Sequence, residues 1–290
     1  MTLPAERTRG TDMSEKTRVF CHCHVYYPEL WPQLRGALRN LAAAGCRLRV
    51  ALTTVVPLPA VEEECRREFP DTEATVVPNR GYDILPFFRV WEDVRPGDFD
   101  LVLKLHTKRD CPEPCMHVNG FSGRGPRLRD MLLEFLATPE NAQMSLRRFD
   151  DPRVGMVGNG RLWIDYDRDR IEWDRRFIGD ELRRFGMTTR ERAFLSGTMF
   201  LCRPRVLERV RGRIDCERLS VRNDHAISVI HCYEMLFGCA VAEAGLRFCD
   251  YAGRPAAELH GGKLRMLWFG LLYKLCRIRN VLTPRHRRGI

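Results

Sequence analysis

Residues 99–108, FDLVLKLHTK, constrain the fold more than any other stretch. They are apolar almost without interruption up to Lys104, the pattern of a strand covered on both faces at the centre of a sheet. The segments before it supply neighbours for such a strand. VFCHCHVYY predicts a first strand starting near Arg18, and PELWPQLRGALRNLAAAG predicts a helix with Leu30, Leu34, Leu38 and Leu41 at helical spacing and Gly45 as its stop. CRLRVALTT, PAVEEECRREF and ATVVPN follow as strand, helix and strand. After the turn NRGYD, ILPFFRVWEDV reads as a helix leading into the central strand. Strand and helix alternating at this pitch predict a wound, largely parallel α/β sheet with helices on both faces.

Downstream, residues 111–126 (CPEPCMHVNGFSGRGP) are dense in Pro and Gly and predict a long surface loop. RLRDMLLEFLA reads as a helix, Thr138-Pro139 opens another, and RVGMVGN is a short strand. Residues 160–190 hold helical stretches, and FLSGTMFLCRP reads as a strand whose Pro204 begins a helix. Near the end, Leu264, Leu267, Trp268, Leu271, Leu272 and Leu275 oppose Lys263, Arg265, Lys274, Arg277 and Arg279, the composition of a basic amphipathic helix. No repeat or low-complexity linker divides the chain. The expected organisation is a polar, disordered leader over 1–17, one domain over 18–258, and a basic helix and tail over 259–290.

The excess of Lys and Arg gives a formal charge of +10, which calls for an anionic partner without choosing among nucleotide phosphates, nucleic acid and an anionic membrane. Aromatic residues are not interleaved with the basic ones in a stacking pattern, so a nucleic-acid partner is not expected. The chain has 12 cysteines, but it is long and opens without the apolar core of a signal peptide, which predicts a reducing, cytoplasmic setting. No window reaches the roughly 18 uninterrupted apolar residues of a membrane span.

Two constellations carry chemistry. The turn Asn79-Arg80-Gly81-Tyr82-Asp83 follows a predicted strand, where ligands bind in wound sheets. Arg80 there suits a phosphate and Asp83 a hydroxyl or base; equally, Asp83 suits an ordinary helix N-cap before Ile84. In the second, Lys104, His106 and Lys108 recur at period two, so a strand directs them to one face. A departing diphosphate needs such cations or a metal, whereas a plain strand end simply leaves its charges in water. Zinc is not expected at Cys21-His22-Cys23-His24, because alternate residues of a strand point to opposite faces. Cys111, Cys115 and His117 have ligand chemistry but lack an evident fourth partner.

These motifs, in this order and spacing, resemble the rhamnan synthesis protein F family of bacterial polysaccharide biosynthesis, whose members are similar to GT-A glycosyltransferases. The resemblance runs from about Phe20 to Gly238. It is carried by HCHVYYPELW, Thr53-Thr54, NRGYDILPF, FDLVLKLHTKRD, GTMF at Gly197–Phe200 and HCYEMLFG at His231–Gly238. Two features depart from the family pattern. The Trp-Arg pair expected after HTK is replaced by GFSGRGPRLRD, leaving Arg127 or Arg129 to serve. In the late motif His231 and Glu234 are kept but the expected Arg is Met235, and His225 is an alternative counterpart of His231.

The resemblance implies a Rossmann-like GT-A fold that takes a sugar, rhamnose on a dTDP carrier being one option, from a nucleotide-sugar donor to a glycan or lipid-linked glycan acceptor. Thr53, Asn79, Arg80, Gly81, Asp83, Lys104, His106 and Lys108 would bind the donor. Arg127, Arg129, Gly197 and Thr198 would meet acceptor or phosphate, and Asp224, His231 and Glu234 are the candidates for the catalytic base. No Asp-x-Asp follows the central strand, and the pairs Asp165/Asp167 and Asp167/Asp169 lie in a charged segment after another strand. A required metal is therefore not expected, and Lys104, His106 and Lys108 take its place as the charge partner. The basic C-terminal helix would hold the protein against the inner face of the plasma membrane. A non-catalytic glycan-binding or scaffolding module of the same fold is the alternative.

Overall fold

The computed structural model describes residues 16–110, 117–119, 121–122, 125–165, 175–188, 193–214 and 229–259, together with Trp268, Leu271 and Leu275. The predicted leader, apart from its last two residues, lies outside them. The strands are β1 (Arg18–Val25), β2 (Arg47–Thr54), β3 (Thr72–Val76), β4 (Leu101–His106), β5 (His117–Val118), β6 (Phe121–Ser122), β7 (Val154–Gly158), β8 (Trp163–Asp165), β9 (Ala193–Leu195), β10 (Phe200–Cys202) and β11 (Arg247–Asp250). The helices are α1 (Trp31–Ala43), α2 (Pro59–Glu68), α3 (Ile84–Glu92), α4 (Arg127–Leu133), α5 (Pro139–Arg147), α6 (Arg175–Arg184), α7 (Pro204–Glu208), α8 (Val229–Glu243) and α9 (Ala256–Leu259).

Seven strands form one sheet in the order β11-β7-β10-β4-β1-β2-β3. β4 is its centre, and all six of its residues are buried, as its apolar run requires. β1 to β4 are mutually parallel, and β10 alone runs antiparallel, between β4 and β7. The sheet is therefore mixed, of Rossmann-like α/β type. The chain winds outward from β1 through β2 to β3 and then returns to the other side of β1 as β4. Since crossovers are right-handed, this reversal puts α1 and α2 on one face and α3 on the other. On the first face, Trp31 donates to Glu64 at 2.8 Å, linking α1 to α2.

Register decides which side chains face α3. His22 pairs with Ala51 and Lys104, and His24 with Thr53 and His106, so these residues share one face, while Cys21, Cys23, Leu103 and Leu105 take the other. Over the polar set lies an aromatic layer. Phe88 of α3 stacks on Phe237 of α8 with ring centroids 5.4 Å apart, and Phe87 meets His22 edge-on at 5.4 Å. Such pairs contribute about 1 kcal/mol each beyond the area they bury.

Three expectations are corrected. FLSGTMFLCRP is two strands, β9 and β10, because Gly197 (φ 81) and Thr198 (φ 50) both adopt the left-handed conformation and break the run. The predicted loop over 111–126 contains the β5–β6 hairpin, and β4 ends at His106, so Lys108 lies beyond the strand. Among the described residues no helix is long and apolar enough to cross a membrane. Of the predicted C-terminal helix, Trp268, Leu271 and Leu275 are helical and exposed.

Candidate active cleft

The order of the sheet reverses between β1 and β4, and in open α/β sheets the crevice beyond the carboxyl ends at such a point receives ligands. The two strand exits are stitched together there. Thr107 accepts hydrogen bonds from the backbone N–H groups of Tyr26 and Tyr27, both at 3.0 Å, and its own N–H donates to the His24 carbonyl at 3.0 Å. Arg109 lies over the Tyr27 ring at 4.3 Å, and Asn79 donates to the Tyr26 hydroxyl at 3.4 Å. Arg80 is exposed and Lys108 half-buried, and among the described residues neither forms an ion pair within 4.0 Å.

Beneath this rim is a knot of charge. Lys104 is fully buried, and its ammonium pairs with Asp83, donates to Thr198 Oγ1 at 2.8 Å and reaches the Thr198 carbonyl at 3.3 Å. Thr198 in turn donates to Asp83 Oδ2 at 2.7 Å. Asp83 occupies the N-cap position of α3, yet its side chain makes no capping bond, so the knot and not the helix holds it. Burial pushes the Asp83 carboxyl up, but His106, Lys104 and the bonds from Lys104 and Thr198 overturn that push and hold it far below the usual carboxylate range. Burial draws Lys104 down against the pull of Asp83.

The histidines are lodged in the same floor. His106 donates from Nε2 to the Gly197 carbonyl at 2.8 Å and lies 3.8 Å from Asp83. Burial lowers its pKa, with Asp83 opposing. Thr53, wholly buried, bonds both His22 Nε2 at 2.9 Å and His24 Nδ1 at 3.0 Å. Burial brings His24 down to about 4 and His22 well below its ordinary value, so both rings are neutral at physiological pH. The structure brings Thr53, Lys104, His106, Gly197 and Thr198 together, and it buries the side chains of Thr53, Lys104, His106 and Thr198 beneath the strand exits, where they meet one another and not a ligand. Of the basic residues at period two only Lys108 reaches the surface.

Glu234, on α8, feels Lys104, Lys108 and Asp83. Burial, reinforced by Asp83, raises its carboxyl to about 7 against the two lysines. The residue is half-buried. His231 lies one turn earlier on α8, where only its backbone is described, and Asp224 and His225 lie outside the described residues. Arg129 pairs with Asp110 and donates to the Lys108 carbonyl at 3.3 Å, which fixes the segment after β4; Arg127 opens α4 exposed.

A second polar cluster was not foreseen. Asp250, at the end of β11, accepts from the N–H of Gly160 at 2.7 Å and pairs with Arg254, which also reaches Glu134 and donates to Asn159 at 2.9 Å. Its members satisfy one another, binding the β7 and β11 ends to α4, and its only sequence trace is a scatter of polar residues after two short strands. Among the described residues no three His, Cys, Asp or Glu side chains group to hold a metal. Cys111, Cys115, Asp167 and Asp169 lie outside them.

The uncharacterized protein WxcX of Xanthomonas campestris pv. campestris strain B100 is 28% identical over 256 residues, covering 83% of this chain and 34% of its own length. Its counterpart in strain ATCC 33913 is 27% identical over the same span and coverage. The chain thus spans about a third of the length of these curated relatives. No solved structure matches it significantly. The family model of rhamnan synthesis protein F matches residues 3–246, so the chain belongs to the rhamnan synthesis protein F family.

Proposed function

We propose that the protein is a glycosyltransferase of GT-A type that moves a sugar from a nucleotide-sugar donor to a polysaccharide intermediate. The observation that carries this reading is the joining, at the topological switch point, of two cations that form no ion pair among the described residues (Arg80 and Lys108) with a carboxyl raised to about 7 (Glu234). Family membership supports a role in polysaccharide synthesis, and rhamnose on dTDP is the first donor to test.

In this mechanism the donor diphosphate lies against Arg80, Lys108 and Arg109. As the acceptor hydroxyl attacks the anomeric carbon, its proton passes to Glu234. A C–O bond forms to the acceptor, the bond from the anomeric carbon to the diphosphate breaks, and the cations take up the charge that develops on the leaving oxygen. One base acting in a direct displacement inverts the anomeric centre. The rim cations perform the charge neutralisation that a divalent metal performs elsewhere. The lipid-linked acceptor would be met at a membrane surface, and the exposed Trp268, Leu271 and Leu275, at helical spacing amid basic residues, support peripheral contact with anionic lipid.

The test is release of nucleoside diphosphate from dTDP-, UDP- and GDP-sugars, alongside a thermal-shift screen with the same donors. Stabilisation by none of them defeats the reading. A second reading, a glycan-binding or scaffolding module, is favoured by Met235, which stands fully buried where the family motif carries Arg. Donor binding without turnover in the presence of acceptor would select it.

A further inference from the structure

Tyr82 is out of place by two ordinary criteria. Its backbone is left-handed (φ 49), directly after Gly81 (φ 67), a conformation unfavourable for a bulky residue. The residue is 66% exposed, so burial does not repay that strain. Residues persist in such states where the surroundings over-determine them, and such strain gathers at ligand clamps. Here the surroundings are plain. The next residue, Asp83, is tied to Lys104 and Thr198 beneath the switch point, and Thr198 follows Gly197 in a second pair of left-handed residues. Two strained turns are locked against each other through one buried ammonium, and one of them carries exposed Tyr82 two residues after exposed Arg80.

Resting on the proposed function, we propose that Tyr82 is the stacking platform for the nucleobase of the donor, so that the site takes a nucleoside diphosphate and not a diphosphate alone. The cations at the same strand exits argue for this ligand. Arg80 on the same turn and Lys108 beyond β4 suit a diphosphate, and the base is the flat, apolar-faced part of the same molecule. Stacking of a base on an aromatic ring tolerates any base, which leaves the choice of nucleotide to other contacts.

Titration of the full chain with dTDP and, separately, with inorganic pyrophosphate tests the proposal. Tyr82→Ala is expected to weaken dTDP about tenfold while leaving pyrophosphate unchanged, and Tyr82→Phe to restore dTDP affinity. Tyr82→Gly is expected to weaken dTDP equally while raising the unfolding temperature, since glycine relaxes the left-handed turn. Tyr82→Ala binding dTDP like the parent would overturn the proposal, as would an equal loss for both ligands, which would make Tyr82 a support of the turn. If the parent chain binds pyrophosphate but gains nothing from the nucleoside, the stacking role fails and the anion site stands. Should it bind neither, the glycosyltransferase reading itself falls.

Discussion

Lys104→Met is the most informative perturbation of the knot beneath the cleft. Methionine keeps the aliphatic stem between Phe87 and Phe237, whose ring centroids lie 5.9 and 5.8 Å from the ammonium, so little cavity opens. What disappears is the charge. Asp83, whose side chain is 13% exposed, keeps the bond from Thr198 but loses its buried cation. Removing one member of a buried pair typically costs about 3–5 kcal/mol, a large part of the roughly 5–15 kcal/mol that holds a domain together. Urea unfolding followed by circular dichroism measures this directly. Lys104→Met with Asp83→Asn should recover a good part of the loss, because the amide still accepts from Thr198 and no carboxylate is stranded.

The pH dependence supplies the sign. In the parent chain Asp83 is held below its unfolded value, so the pair's stabilisation is present above about pH 4 and is lost as pH falls further. In Lys104→Met burial is opposed only by His106 and the bond from Thr198, so the Asp83 pKa moves up from its place in the parent, and the gap between variant and parent narrows as pH falls through that new value. The gap between variant and parent should therefore be widest near pH 7.5 and shrink toward pH 4. A loss under about 1 kcal/mol, or a gap independent of pH, would refute the assignment of Lys104 as a structural cation.

Glu234→Gln should abolish turnover while leaving donor affinity nearly intact, and kcat/KM of the parent should climb with pH to a plateau above about 7. The same carboxyl is raised above its unfolded value. Its contribution to stability is thus full below about pH 4.5 and lost as pH rises through about 7, and Glu234→Gln should stabilise the fold at pH 8 but not at pH 4. Gly197→Ala should cost about 2 kcal/mol or more in urea unfolding, since its Cβ would stand 2.5 Å from Leu132 Cδ2 in a left-handed turn; Leu132→Ala in the same chain should relieve the steric part. Lys108→Ala should weaken dTDP and flatten the salt dependence of its binding, whereas EDTA should leave turnover unchanged; activity lost to EDTA and restored by manganese would return the diphosphate to a metal.

The sheet was legible because its signal is local. The unbroken apolar run of β4, the leucine stripe of α1 and the glycine at its end each report on their own neighbours, and their sequence implies the winding. The break between β9 and β10 escaped because Gly197 and Thr198 sit inside an apolar run whose hydrophobicity outweighs a two-residue turn. Glu134, Asn159, Asp250 and Arg254 escaped for another reason: up to 120 positions separate partners, and nothing local to any one of them announces the others.

The period-two reading of Lys104, His106 and Lys108 shows how far such signals go. Alternation gave the correct face for Lys104 and His106, but a face has depth, and depth depends on what crosses it. The turn from β3 travels over β2 and β1 to lay Asp83 on Lys104, while α8 closes the other side with Phe237. An ammonium so enclosed has its valence met inside the protein and has no capacity left for a ligand. Its contribution is one step removed: by fastening Asp83 and Thr198 it sets where Tyr82 and Arg80 stand. Function then tracks the geometry of the rim, and stability the integrity of the knot. A substitution at Lys104 should therefore lower binding and stability together, whereas one at Lys108 should lower binding alone.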